Sequence, residues 1–176
     1  MNEALLEARI AYDLGEVPIG AVVVDNNGLI IGRGYNQRET KADVTGHAEI
    51  LAIHDAAKNV GTWRLDECTV YVTLEPCFMC ASALQQARIK SVCFGAKDPK
   101  AGAVTSLAQF YEQYPQNHTV EWHTGIEEEA CSQILRTFFR ELRKRNAEQN
   151  KSLGGRGKRK QAAKDQTLGK PGDPCC

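Results

Sequence analysis

The stretch CTVYVTLEPCFMCASALQQARIKSVCFGA, residues 68–96, decides the fold. CTVYVTL (68–74) is rich in β-branched residues and predicts a strand. Pro76 marks the start of a helix, because its missing N–H and fixed φ suit the first turn. CFMCASALQQARI (77–89) supplies that helix, and SVCFGA (91–96) predicts a second strand. Strand, helix and strand in succession form a crossover unit, so the two strands should run parallel.

Upstream, IGAVVVD (19–25) and LIIGRGY (29–35) flank an Asn-Asn-Gly turn and predict a hairpin. Residues 3–14 predict a short helix with Ala4, Leu5, Ala8, Ala11 and Tyr12 on one face. Gly15 and Pro18 stop it. NQRETKADVTG (36–46) is a polar loop, and HAEILAIHDAAK (47–58) has helical spacing. Downstream, the pattern predicts a weak helix around 105–113, a strand at 119–125 and a helix at 126–145. Acids open that last helix and bases close it, as the macrodipole favours. Ile134, Leu135, Phe138, Phe139 and Leu142 form its apolar stripe. The expected class is α/β: one mixed sheet of about five strands with helices on both faces.

The chain has 176 residues, 42% of them hydrophobic, enough for one core. No apolar run reaches the roughly 18 residues of a membrane helix. The N-terminal MNEALLEARIAY carries acids where a secretory signal would carry Lys or Arg. The expectation is a soluble, cytoplasmic protein with no membrane partner. In that compartment a CxxC pair points to metal or redox chemistry rather than a permanent disulfide, and the odd count of seven cysteines agrees.

The net charge of zero hides an asymmetry. Ten Lys/Arg against three Asp/Glu from Arg143 onward give +7, and the rest of the chain is −7. The expected organisation is a domain over 1–145 and a basic, disordered tail over 146–176. Such a tail suits a polyanion such as RNA, and equally a solvated extension.

Cys77 and Cys80, i and i+3 at a helix start, share one face. The helix-start amides and dipole there favour thiolate, a half-site for zinc. His47, in GHAEI, also opens a helix, and two helix starts can meet at one end of a sheet, where α/β proteins bind ligands. One nitrogen and two sulfurs leave zinc a fourth position for water, the catalytic pattern. Glu49 lies too far around its helix to complete the set, but can lean beside that water. Zinc lowers a bound water's pKa from about 15.7 to about 7, and a carboxylate alongside can take the proton and pass it on. Cys68, Cys93 and Cys131 fit the core, while His54, His118 and His123 fit packing or surface positions.

His-Ala-Glu followed by Pro-Cys-x-x-Cys matches a known signature of the zinc nucleobase deaminases. The flanks EVPIGAVVV, GYN, TLEPCFMCASAL, ARI, VCFGAKDPKAGA and the FFR of the last helix narrow the match. Over about residues 4–143 the chain resembles the bacterial tRNA-specific adenosine deaminases. Departures fall at the opening helix, which begins late, and at Gly46, Ser82, Val104-Thr105 and Leu142; none is an expected metal ligand.

The resemblance implies a three-layer α/β/α, cytidine-deaminase-like fold, one Zn2+ per subunit and no organic cofactor. It implies conversion of adenosine to inosine at the wobble position of a tRNA, an arginine tRNA in the family. The base must be splayed out of an anticodon stem-loop into the pocket. His47, Cys77 and Cys80 would hold the metal, and Glu49, its pKa tuned upward, would move protons. Asn36 would hydrogen-bond the base or ribose; Val17 and Ala48 would line the pocket; the main chain at Pro76 would meet the amine. Asp98 and Lys100 would contact neighbouring nucleotides, and Phe139 and Arg140 would support the RNA. A homodimer is expected, with the helix after Pro76 as its seam. Deleting 147–176 should weaken RNA binding modestly and leave turnover intact. The alternatives are a deaminase of free guanine or cytidine compounds, and a non-catalytic zinc-stabilised RNA-binding module.

Overall fold

The computed structural model describes residues 1–165, with side chains as far as residue 150. The elements are α1 (Asn2–Asp13), β1 (Gly20–Val24), β2 (Ile30–Tyr35), α2 (Ala48–Val60), β3 (Thr69–Leu74) and α3 (Phe78–Gln86). They continue with β4 (Ser91–Ala96), α4 (Phe110–Gln113), β5 (Glu121–Thr124) and α5 (Glu128–Asp165). The five strands form one sheet in the order β2-β1-β3-β4-β5.

The hairpin is antiparallel. The Asp25 carboxylate accepts the N–H groups of Asn27 and Leu29 at 2.9 and 2.8 Å, and Gly28 takes φ +80° between them. β1 pairs antiparallel with β3, whereas β3–β4 and β4–β5 are parallel. The crossover read from residues 68–96 is therefore present, and the sheet is mixed as expected.

Side-chain alternation assigns the helix layers. Gly34 sits opposite Ala21, and Ala21 opposite Val72, so these three share a face. On it, a Cβ at Gly34 would strike the Ala48 carbonyl and the Ala52 nitrogen, and one at Gly32 would strike Ala52 and Ala56. Two glycines two positions apart thus let the backbone of α2 lie directly on β2. Ala48, Ala52, Val70, Val72, Ala81, Leu84 and Phe94 close the core on that side, and all are fully buried. Gly20 faces the opposite way, where a Cβ would strike Ala4 and Ala8 of α1. On the same side Arg33 reaches Glu3 at 2.7 Å and Glu7 at 3.2 Å. Gly95, against Cys131 of α5, completes that layer, and Tyr12 meets Phe138 edge-on at 5.7 Å. The architecture is three layers, α/β/α.

Three expectations differ from the structure. The helix at 77–89 is shorter, Phe78–Gln86, and ends in a left-handed Arg88 at φ +60°. The weak helix around 105–113 is reduced to the four residues of α4, because residues 102–106 instead wrap around a buried carboxylate described below. Residues 1–138 form one compact unit, with Phe139 onward as another. In that second unit, helix continues through 146–165, where the sequence reading places a disordered tail. Lys, Arg, Gln and Ala dominate 156–164 and propagate helix well. Residues 166–176, with Cys175 and Cys176, lie outside the described residues. No helix among the described residues is long and apolar enough to cross a membrane.

Candidate active site

β2 and β3 are both antiparallel to β1, so they run the same way, and the chain leaves both at the same end of the sheet. α2 and α3 therefore start side by side at the carboxyl ends of their strands. His47 is the N-cap of α2 with φ −81° and ψ 149°, and Cys77 the N-cap of α3 with φ −75° and ψ 173°. Both are extended just before a helical turn, the usual N-cap conformation.

The three expected ligands meet. His47 Nδ1 lies 3.7 Å from Cys77 Sγ and 3.4 Å from Cys80 Sγ. The ligand atoms of the three all fall within 4.8 Å of one another, and among the described residues no other His, Cys, Asp or Glu joins them. Hydrogen bonds from the Cys80 thiol and then the His47 ring outweigh burial and hold the Cys77 thiol down to about 4. Its bond to Cys77, then burial, pushes the Cys80 thiol well above the usual thiol range. The bond to Cys77 raises His47 against the opposing effect of burial.

Glu49 lies in the first turn of α2 and is only 5% exposed. Burial, reinforced by the Cys77 sulfur and opposed by His47, pushes its carboxyl up to about 7. A carboxyl at that value holds or releases a proton near neutral pH, which a general acid–base needs.

The loop at 36–46 is closed by Gln37 N–H donating to the Gly46 carbonyl at 2.9 Å, which brings Asn36 next to His47 in the chain path. Asn36 is buried; its Nδ2 donates to Glu16 at 3.2 Å and to the Val17 carbonyl at 3.3 Å. Its oxygen is therefore the group turned to other partners. Val17 is half-buried, and Ala48, fully buried, presents its carbonyl to β2. The Pro76 carbonyl accepts the Ala103 N–H at 2.9 Å, so one of its lone pairs is already engaged. Asp98 is half-buried and accepts the Lys100 N–H at 2.9 Å, while Lys100 is exposed. Phe139 and Arg140 belong to the second unit and are both exposed. His54 and His123 are exposed, His118 is tied to the Ile89 carbonyl at 2.7 Å, and Cys68, Cys93 and Cys131 are buried.

Three residues near this site escape the sequence reading. Glu16, 1% exposed, orients Asn36 and accepts the Thr40 N–H at 2.6 Å. Glu75, 3% exposed, collects hydrogen bonds from residues 98–106. Tyr111 is buried with no partner for its hydroxyl; burial, then the charges of Glu49 and Cys80, raise its pKa. The only sequence signal for Glu16 and Glu75 is an acid between apolar runs, and Tyr111 has none.

A family model of the MafB19-like deaminases matches residues 1–143. The tRNA-specific adenosine deaminase of Bacillus subtilis (strain 168) is 49% identical over 153 residues, covering 87% of this chain and 94% of that protein. The tRNA-specific adenosine deaminase of Haemophilus influenzae is 49% identical over 143 residues, covering 81% and 83%. A solved structure from work on A-to-I editing by tRNA:A34 deaminases is 45% identical with a TM-score of 0.73, covering 77% of this chain and 97% of that one. A guanine deaminase from Nitrosomonas europaea, 22% identical over 78% of this chain and 81% of its own, shares the fold at a TM-score of 0.68. With half its positions shared along nearly the whole ordered sheet and its helices, the chain belongs to the family of tRNA-specific adenosine deaminases.

Proposed function

We propose that the protein hydrolytically deaminates adenosine to inosine at the wobble position, 34, of a tRNA, with an arginine tRNA as substrate. The observation that carries this is the meeting of His47, Cys77 and Cys80 at two helix starts beside a buried Glu49. The relatives named above, two tRNA-specific adenosine deaminases and a structure from work on tRNA:A34 deaminases, support it.

One imidazole and two sulfurs within 4.8 Å fit zinc better than magnesium or calcium, which take oxygen ligands. Zinc held by His47, Cys77 and Cys80, one per subunit, would acidify a water to a pKa of about 7. Ligation by both sulfurs would need both thiols ionised, so zinc binding would release protons. Glu49 would accept one proton from the water and deliver it to N1, then take the second from the new C6 hydroxyl and deliver it to the departing amine. Water adds at C6, the C–N bond breaks, and ammonia leaves. Asn36, with its nitrogen committed to Glu16 and Val17, offers its oxygen to a donor on base or ribose. Val17 and Ala48 wall the pocket, and the free lone pair at Pro76 meets the amine. Asp98 and Lys100 contact neighbouring nucleotides of the anticodon stem-loop, and Phe139 and Arg140 support it. The working form is a cytoplasmic homodimer with α3 at its seam, where Phe78 is 45% exposed.

The test is to incubate the zinc-loaded protein with tRNA and read position 34 by sequencing or mass spectrometry. Inosine there is the expected result. Ammonia released from free guanine or cytidine, with none from tRNA, would overturn the proposal; full zinc with no deamination of any substrate would favour an RNA-binding module.

A further inference from the structure

We propose that Glu75 is a positioning residue that fastens the 98–106 loop to the metal-ligand segment, and so sets how tightly RNA is held without taking part in the chemistry. This rests on the function proposed above, in which that loop meets nucleotides.

Glu75 directly follows β3, and its own N–H donates to the Ala96 carbonyl at 2.9 Å, one step past the β3–β4 ladder. Its carboxylate turns into the loop. Oε1 accepts the N–H groups of Val104, Thr105 and Ser106 at 3.1, 2.7 and 2.9 Å and the Thr105 hydroxyl at 3.3 Å. Oε2 accepts the Asp98 N–H at 3.0 Å and the Ser106 hydroxyl. Four main-chain dipoles and two hydroxyls thus converge on one anion that is 97% hidden from solvent. This loop has no ladder of its own to satisfy its N–H groups, and buried N–H groups need partners. Charged acceptors make the strongest such bonds.

The two residues after Glu75 grip the same loop. The Pro76 carbonyl takes the Ala103 N–H, and Cys77 forms an isolated antiparallel bridge with Gly102. A Cβ on Gly102 would strike the Glu75 carboxyl carbon, so a glycine is needed for the loop backbone to reach it. Three consecutive residues, ending on an expected metal ligand, therefore hold one loop from inside. The outer side of the loop is left with Lys97, Pro99 and Lys100 exposed. The loop is ordered before any RNA arrives, so binding need not order it.

The experiment compares Glu75→Gln with the unsubstituted zinc-loaded enzyme on an anticodon stem-loop. Gln keeps the size but replaces one acceptor with an NH2 facing N–H donors. KM should rise on the order of tenfold, with kcat changed less than about threefold, since only loop ordering is lost. Zinc content should stay at the unsubstituted level, and hydrogen exchange at Val104, Thr105 and Ser106 should speed up. A fall in kcat and zinc at unchanged KM would overturn the proposal, as would unchanged kinetics and exchange. Should Glu75→Gln fail to fold, Ser106→Ala decides: KM should rise about threefold and kcat hold, and an unchanged KM would sink the idea. Failure of the unsubstituted enzyme to make inosine would speak against the function instead. The exchange measurement reads the clamp without any activity.

Discussion

His47 and Cys77 occupy equivalent positions on two helices: each is the extended residue before the first turn, and their ligand atoms lie 3.7 Å apart. The site is built on that equivalence, since neither helix alone offers more than two of the three donors. His47→Ala should therefore abolish tight metal binding. Metal analysis after dialysis against a chelator should show zinc lost from the variant far faster than from the unsubstituted protein. Stripping the unsubstituted protein should stop deamination, and zinc should restore it.

Glu49→Gln should leave zinc content and thermal unfolding nearly unchanged and cut kcat by about 10²–10⁴-fold, the usual contribution of a general acid–base. Single-turnover inosine formation measures it. A variant that also loses zinc would mean that Glu49 holds the metal rather than protons.

Gly34→Ala forces a methyl into the carbonyl of Ala48 and the nitrogen of Ala52. Helix backbone cannot move aside as a side chain can, so the cost should reach about 3 kcal/mol, the top of the overpacking range. Because Ala48 follows His47, zinc affinity should fall too. Denaturant melts with a metal titration check both.

Tyr111→Phe should stabilise the fold by about 1 kcal/mol, because the buried hydroxyl has no partner. A lower melting temperature would show that the hydroxyl is satisfied in solution.

Stability should decline in alkali. Burial pushes the Cys131 thiol up to about 11 from an ordinary value near 9. Between those values the unfolded chain has lost this proton and the folded one has kept it, so stability falls as pH rises through the window. Cys131→Ala should flatten that part of the curve, measured as urea midpoints from pH 8 to 11.

The crossover, the hairpin and the Cys77–Cys80 pair were all legible because each is local: a β-branched run, an Asn-Asn-Gly turn, a CxxC after Pro76. His47, thirty residues from Cys77, joined them because it too opens a helix that can start at the same end of the sheet, and the match to a known signature agreed. Glu16 and Glu75 were illegible because many of their partners are backbone N–H groups, which no sequence pattern marks, and their side-chain partners lie twenty or more residues away. The weak helix at 105–113 failed for the same reason, its amides being drawn to Glu75. α5 ran past residue 146 because polarity, which forecast disorder, does not by itself oppose helix in a Lys- and Arg-rich segment.

The anchoring of 98–106 from its inner side separates two kinds of change that a laboratory or a lineage could make. Lys97, Pro99 and Lys100, all exposed, are open to exchange without disturbing the bonds that hold the loop from within. Gly102 and Ser106 have no such freedom, and a graft from a distant relative would have to carry them along with the acid they serve.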